Sequence, residues 1–359
     1  MRVRIFIKPI LTILALSASL IAEGHQADSS KVTHRVGINV RPSYILPTHK
    51  FFRGDNSLGK RLDKSGSAHL QYSFSFPSSS PFGKLYPTAY QGIGIAFNTF
   101  FDHKEIGDPA AVYVFQGARL AQISPTLSLD YEWNFGVSFG WHPYDPYADL
   151  HSYANEYNMV VGSRVNAYIN FGILLSWKPV DNWTLSAGID LTHFSNGNTS
   201  YPNAGVNTTG GRIGVSRSFG PENKKFRTPA SAVNEYASLK SSRFADRMTY
   251  DILLYGAGRA KGLMWNDSPY IAEGKFGILG LNISPLYRVN KFFRAGLSLD
   301  VQYDESANVG DHVAGIGEDG KIRFYRPPLN EQLGVGLSLR AEFVMPIFSV
   351  NIGFGRNVI

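Results

Sequence analysis

His193 and Ser195 stand two residues apart in the stretch Thr192-His193-Phe194-Ser195-Asn196-Gly197, and a histidine beside a serine is the pair from which an activated nucleophile is made. An imidazole nitrogen within reach takes the hydroxyl proton, the oxygen attacks an ester carbonyl, and nearby N–H groups hold the oxyanion. The Asn196 side chain and the backbone N–H groups of the Asn196-Gly197 turn are candidates for that last role. Asn207, beyond a loop full of Asn, Gly and Pro, is the third polar group in range. The bland alternative is a loop that only turns the chain, because an H-x-S match is not specific. The choice rests on whether the two side chains share a face, and therefore on the element that carries them.

That element is a strand. From Trp183 the odd positions read Trp, Leu, Ala, Ile, Leu, His, Ser, and the even positions between them read Thr, Ser, Gly, Asp, Thr, Phe. The same period of two runs from Leu127 to Trp141, from Ala167 to Trp177 and from Phe293 to Tyr303, longer than the strands of ordinary globular sheets. A water-soluble sandwich would alternate too. Here, however, Phe, Trp and Tyr crowd the apolar rows near strand ends, while Asp130, Glu132, Arg294 and Asp300 sit mid-strand on the opposite rows. An apolar lipid face with aromatic girdles and a polar lumen is the pattern of an outer-membrane barrel.

Thirteen strand-like segments are found, near 34–44, 67–76, 88–101, 110–123, 126–141, 164–177, 182–195, 208–219, 246–257, 274–289, 292–304, 332–343 and 345–356. Single-chain bacterial barrels have even counts, so the expectation is one all-β, transmembrane antiparallel barrel of twelve or fourteen strands over residues 25–359. Residues 221–247 are polar, basic and not alternating, and read as a long connection with a short helix near Ala230 to Leu239.

Composition agrees. The chain of 359 residues holds 36 Gly, 24 Phe and 19 Tyr with 18% charged residues, a mixture suited to strands and tight turns. Arg2, Arg4 and Lys8 precede an apolar run from Ile10 to Ala22 and the small-residue site Ala22-Glu23-Gly24, so residues 1–24 read as a cleaved signal peptide. With no cysteine, neither disulfides, nor thiolate metal sites, nor a lipid anchor on cysteine is available. A formal charge of +7 over this length gives no support for nucleic-acid binding. On the loop after Trp141, residues His142, Asp145, Asp149, His151 and Glu156 gather potential metal ligands. Loops of this polarity usually meet water, and neither a metal nor another cofactor is expected.

With these strands in place, His193 and Ser195 continue the outward, membrane-facing row, and Asp190 points into the lumen. The connection 178–182 is short, as periplasmic turns are, so the His/Ser end is extracellular. Trp183 to His193 spans ten steps of ~3.3 Å, a rise of roughly 23 Å at a 45° tilt, close to the apolar band of such barrels. If the next hairpin pairs His193 with Asn207, then His193, Ser195 and Asn207 converge at headgroup depth. Asp190 is expected to pair with the inward Arg212 of the following strand.

The segments His193-Phe194-Ser195-Asn196-Gly197 and Pro202-Asn203-Ala204-Gly205-Val206 resemble the signature of the PagL-type lipid A 3-O-deacylases, outer-membrane barrels that remove an ester-linked acyl chain from lipopolysaccharide. The resemblance implies His193 as base, Ser195 as nucleophile and Asn196 as oxyanion contributor. It also implies the bacterial outer membrane as location and lipid A as partner. Two features depart from the family: its acidic residue falls on Asn207, and its best-known members are smaller, eight-stranded barrels. A phospholipase-like esterase, or a pore or structural barrel with an idle motif, are the competing readings. Nothing in the pattern fixes an oligomeric state.

Overall fold

The computed structural model describes residues 32–358 except 78, 146–153, 221–242, 267, 319–320 and 346–347. The segment expected to be a signal peptide and the proposed helix near 230–239 lie outside these residues. Eight antiparallel strands form the first unit: β1 (Thr33–Ile45), β2 (Lys64–Ser75), β3 (Tyr90–Thr99), β4 (Gly107–Gln122), β5 (Leu127–Trp141), β6 (Val165–Trp177), β7 (Trp183–Ser195) and β8 (Val206–Phe219). Each pairs with the next, and β8 returns to β1 in a ladder from His34↔Phe219 to Ile45↔Thr208, so the sheet closes into a barrel.

The barrel is inside-out relative to a water-soluble fold. Its buried row on β5 is Ser128, Asp130, Glu132 and Asn134, while outward residues such as Ile38, Ile93, Phe97, Phe135, Ile189 and Ile213 are exposed. Hydrocarbon around the outside stabilises that arrangement, and closure satisfies every strand edge without water.

The interior is filled. At mid-depth Arg212 Nη1 lies 2.7 Å from Glu132 Oε1, Gln71 Nε2 donates to the same carboxylate oxygen at 3.0 Å, and Arg212 Nη2 donates to Gln71 Oε1 at 3.1 Å. Arg41 Nη1 lies 3.2 Å from Asp190 Oδ2, and its Nε donates to Asn39 Oδ1. Towards the end that carries His193, Phe51, Phe52, Phe100, Ile106, Trp141, Val160, Val161, Phe194 and Val206 form an apolar plug. A cavity of about 50 Å³ lined by Arg35, Asn39, Gln71, Glu132 and Arg212 remains within the barrel, room for a few waters.

The second unit is an open sheet. Its long strands are β9 (Met248–Arg259), β12 (Phe276–Arg288), β13 (Phe293–Asp304), β16 (Leu333–Val344) and β17 (Ser349–Asn357), in the order β17-β16-β13-β12-β9. Two short hairpins, β10 (Gly262–Trp265) with β11 (Ser268–Ile271) and β14 (Val313–Ile316) with β15 (Ile322–Phe324), project from one end around Leu263, Phe276, Val309 and Ile322. Among the described residues no helix is long and apolar enough to cross a membrane.

The thirteen expected segments are the thirteen long strands, most within two or three residues at each end. The single barrel of twelve or fourteen does not form: eight strands close and five remain apart. Alternation records that a strand has one wet and one apolar face. It does not record which strand closes on which, and the β1–β8 ladder is set by long-range register.

Candidate functional site

The β7–β8 hairpin has the anticipated register, with His193 opposite Asn207 and Phe194 opposite Val206. His193 Nδ1 is 2.7 Å from Asn207 Oδ1. An amide oxygen only accepts, so Nδ1 carries the proton and Nε2 keeps the lone pair that a general base needs. Between His193 and Ser195 the inward Phe194 packs on Trp141 with ring centroids 5.0 Å apart and on Tyr168 at 5.4 Å. That anchor in the plug holds both neighbours on the outer face, where each is half-buried. Ser195 lies opposite Ala167 of β6. Among the described residues its hydroxyl has no hydrogen-bond partner, so the imidazole and the hydroxyl share a face without yet being joined.

The loop after Ser195 is folded back on itself. The Asn196 backbone N–H donates to Asn203 Oδ1 at 2.9 Å, and Asn203 Nδ2 donates to Asn198 Oδ1 at 3.2 Å. The Asn196 N–H, one of the groups expected to hold an oxyanion, is thus donated within the loop in this structure. The Asn196 side chain is a different matter. It is 8% exposed, and neither its Oδ1 nor its Nδ2 has a partner. A buried amide without partners is costly unless something else comes to meet it. Gly197 sits at φ +63° with nothing within 4 Å of where a Cβ would stand, so the turn beside that amide is open.

Gly205 closes the loop. It has φ +73°, and a Cβ there would come within 3.2 Å of His193 Cε1 and 3.0 Å of the Phe194 carbonyl oxygen. Only glycine lets the chain pass so close to the imidazole in that conformation. Its N–H donates to Val160 O at 3.0 Å, and Gly162 lies against Pro202, so the β5–β6 connection buttresses the loop. Sequence reasoning singled out neither Asn203 nor Gly205 for a role, although both stand in the segment quoted for the family signature.

Other expectations divide. Asp190 faces the lumen as parity requires, but its ion pair is with Arg41, while Arg212 pairs with Glu132. The register sets Gly188, not Asp190, opposite Arg212, and Arg41 of β1 reaches over the intervening β8 to Asp190 instead. Of the potential metal ligands, Asp149 and His151 lie outside the described residues, and among the described residues no group of three or more such side chains comes together. The second unit meets the site, which the sequence did not foretell. The Ala260 N–H donates to Asn198 O at 3.2 Å, and Gly262 lies against the Tyr201 ring.

An outward His–Asn pair at the rim of a closed barrel with a polar interior defines an outer-membrane β-barrel protein with a candidate hydrolytic site. Residues 116–216 match the family described as lipid A 3-O-deacylase (PagL), and residues 248–359 match the acyloxyacyl hydrolase C-terminal domain. The chain belongs to the PagL family and is a protein of the bacterial outer membrane. No curated protein matches it. Among solved structures, it is similar to Neisserial surface protein A at 12% identity, over 52% of this chain and 97% of that one, with a TM-score of 0.34. It is similar to the outer membrane enzyme PagL at 14% identity, over 51% and 98%, with a TM-score of 0.30. The attachment protein Ail of Yersinia pestis is similar at 11% identity, over 53% and 99%, with a TM-score of 0.28.

Proposed function

We propose that this protein is an ester hydrolase that removes an acyl chain, the 3-O-linked one, from lipid A in the outer leaflet, with Ser195 as nucleophile and His193 as base. The 2.7 Å contact from His193 Nδ1 to Asn207 Oδ1 carries the reading, because it leaves Nε2 basic on the face that meets lipid. A substrate already in the leaflet brings its ester to this wall laterally, without passing through the filled lumen.

Nε2 takes the proton as Ser195 Oγ forms a bond to the ester carbonyl carbon. The oxyanion is received by the unpartnered Asn196 Nδ2 and the Gly197 N–H. Collapse breaks the bond to the sugar oxygen, which leaves with the proton held by His193. A water molecule, deprotonated by the same imidazole, then releases the fatty acid and restores Ser195. Asn207 fixes the tautomer but, as a neutral amide, gives the imidazolium less help than a carboxylate would.

Mass spectrometry of lipid A from cells making the wild-type chain or Ser195→Ala tests this. The expected result is loss of one hydroxyacyl mass with the wild type only, while both variants keep the heat-modifiable migration of a folded barrel. Unchanged lipid A with fatty acid released from phospholipid would move the activity to the phospholipase-like reading. Unchanged lipids in both, with altered solute permeability, would leave a barrel with an idle motif.

A further inference from the structure

The five-stranded sheet carries the face pattern of a barrel wall. One face presents Ile252, Leu279, Leu297, Leu339, Ile352 and Phe354, all exposed, Phe354 at 83%. The other gathers a polar network: Asp300 accepts from Ser298, Ser338 and Asn282, and Arg294 pairs with Glu342 at 3.0 Å. Yet among the described residues β9 and β17 each pair on one side only. An open edge does not persist in hydrocarbon, where its N–H and C=O groups find no water. Closure of the sheet on itself is excluded by size, since the smallest membrane barrels have eight strands. The long strands of the first unit offer nothing, because each of them already has two neighbours in the ring.

We propose that a second copy of this chain closes the sheet, edge to edge, into a shared ten-stranded barrel. A second copy is in the same membrane with the same orientation and the same two free edges, and five plus five restores an even count. Because five antiparallel strands leave both edge strands pointing the same way, each junction is a parallel pair of β9 from one copy with β17 from the other. A two-fold axis along the membrane normal relates the two junctions, so neither edge is left over. The polar faces then enclose one lumen around the two Asp300 clusters. Phe348, continuing the apolar row of β17, lies 6.0 Å from the outward Trp133 ring of the closed barrel. That contact turns the apolar side of the β17 end towards the first unit and leaves the polar face for the partner.

The chain has no cysteine, which makes the test direct. Leu253 and Asn351 belong to the polar rows of β9 and β17, as does Asn357. Leu253→Cys combined with Asn351→Cys, or with Asn357→Cys, is treated in outer membranes with a bismaleimide of about 10 Å reach. At least one pair is expected to give a covalent homodimer while each single-cysteine chain stays monomeric, and the wild-type chain in native-lipid discs is expected to have the mass of two copies. A wild-type mass of one copy, a purely intramolecular crosslink, or an adduct with a different protein would each overturn the proposal. So would equal dimer yield from Leu253→Cys alone, since β9 would then face β9. The wild-type mass does not depend on any variant folding.

Discussion

The closed barrel and the open sheet alternate in the same way and differ in what their polar rows face. In the barrel, Arg212 and Glu132 are 4% and 3% exposed and share their ion pair with Gln71. In the sheet, Arg340 and Asp300 stand 3.4 Å apart but remain 19% and 40% exposed. The side chains are of the same kinds. Closure removes water from one set and not from the other, so the energetic meaning of a charged residue is decided by the neighbouring strand.

The largest expected effect follows from that difference. Arg212→Met leaves Glu132 buried and unpaired, a change that costs about 3–5 kcal/mol. Arg340→Met breaks a partly wet pair, worth about 0–1 kcal/mol. Urea unfolding from lipid vesicles should therefore show a large loss for the first and almost none for the second. Equal losses would mean that the sheet's polar face is packed as dry in the membrane as the barrel's, rather than lining the wider and wetter lumen of ten strands.

Asn207→Glu sharpens the chemical side. It restores the acidic position of the family beside His193 Nδ1, where a carboxylate would favour the imidazolium that forms in the proposed attack of Ser195. Exchanging the acid for its amide in a serine protease costs about 10⁴ in rate, much of it from the wrong tautomer, so a gain of about ten- to a hundredfold in deacylation is expected here. If Glu and Ala at this position both leave the rate unchanged, the 2.7 Å contact is not used in catalysis.

Asn203→Ala removes the acceptor of the Asn196 N–H and frees the loop beside the candidate oxyanion amide. One lost hydrogen bond of about 1 kcal/mol gives roughly a five- to tenfold fall in kcat. The fall should appear with KM little changed, because Asn203 is held within the loop, and Asn203→Asp, which keeps the accepting oxygen, should recover part of it. A rise in KM alone would make Asn203 part of the binding surface.

Much of this was legible in the sequence, for definite reasons. Period-two alternation located every long strand, and parity alone put His193 and Ser195 outside and Asp190 inside, because a one-residue slip would reverse all three. The pairing of His193 with Asn207 followed from hairpin register. Contacts that depend on distance along the chain were not legible. Arg41 reaches Asp190 from β1, and β8 closes on β1 rather than continuing into β9. The commitment of the Asn196 N–H to Asn203 needs the loop's φ values, three of them positive at Gly197, Asn198 and Gly205, which no periodicity encodes.

The last test concerns whether the two units act together at the site. Ala260 and Gly262 run along the loop that carries Asn198 and Tyr201, and a Cβ at Gly262 would stand 2.4 Å from Tyr201 Cε2. Gly262→Val must push either the ring or its own hairpin away. If the ring yields, the displacement passes through Asn198 to Asn203 and so to Asn196, since those groups are joined by 3.2 Å and 2.9 Å hydrogen bonds. A fall in kcat of about two- to fivefold is expected, the size of a fraction of one hydrogen bond. Barrel stability should be unchanged, because Gly262 lies outside the closed ring. Adding Tyr201→Ala should restore most of the rate by removing the clash, an outcome that a general folding defect would not give. If Gly262→Val works at the full rate, the hairpin is the part that yields, and the closed barrel catalyses without help from the open sheet.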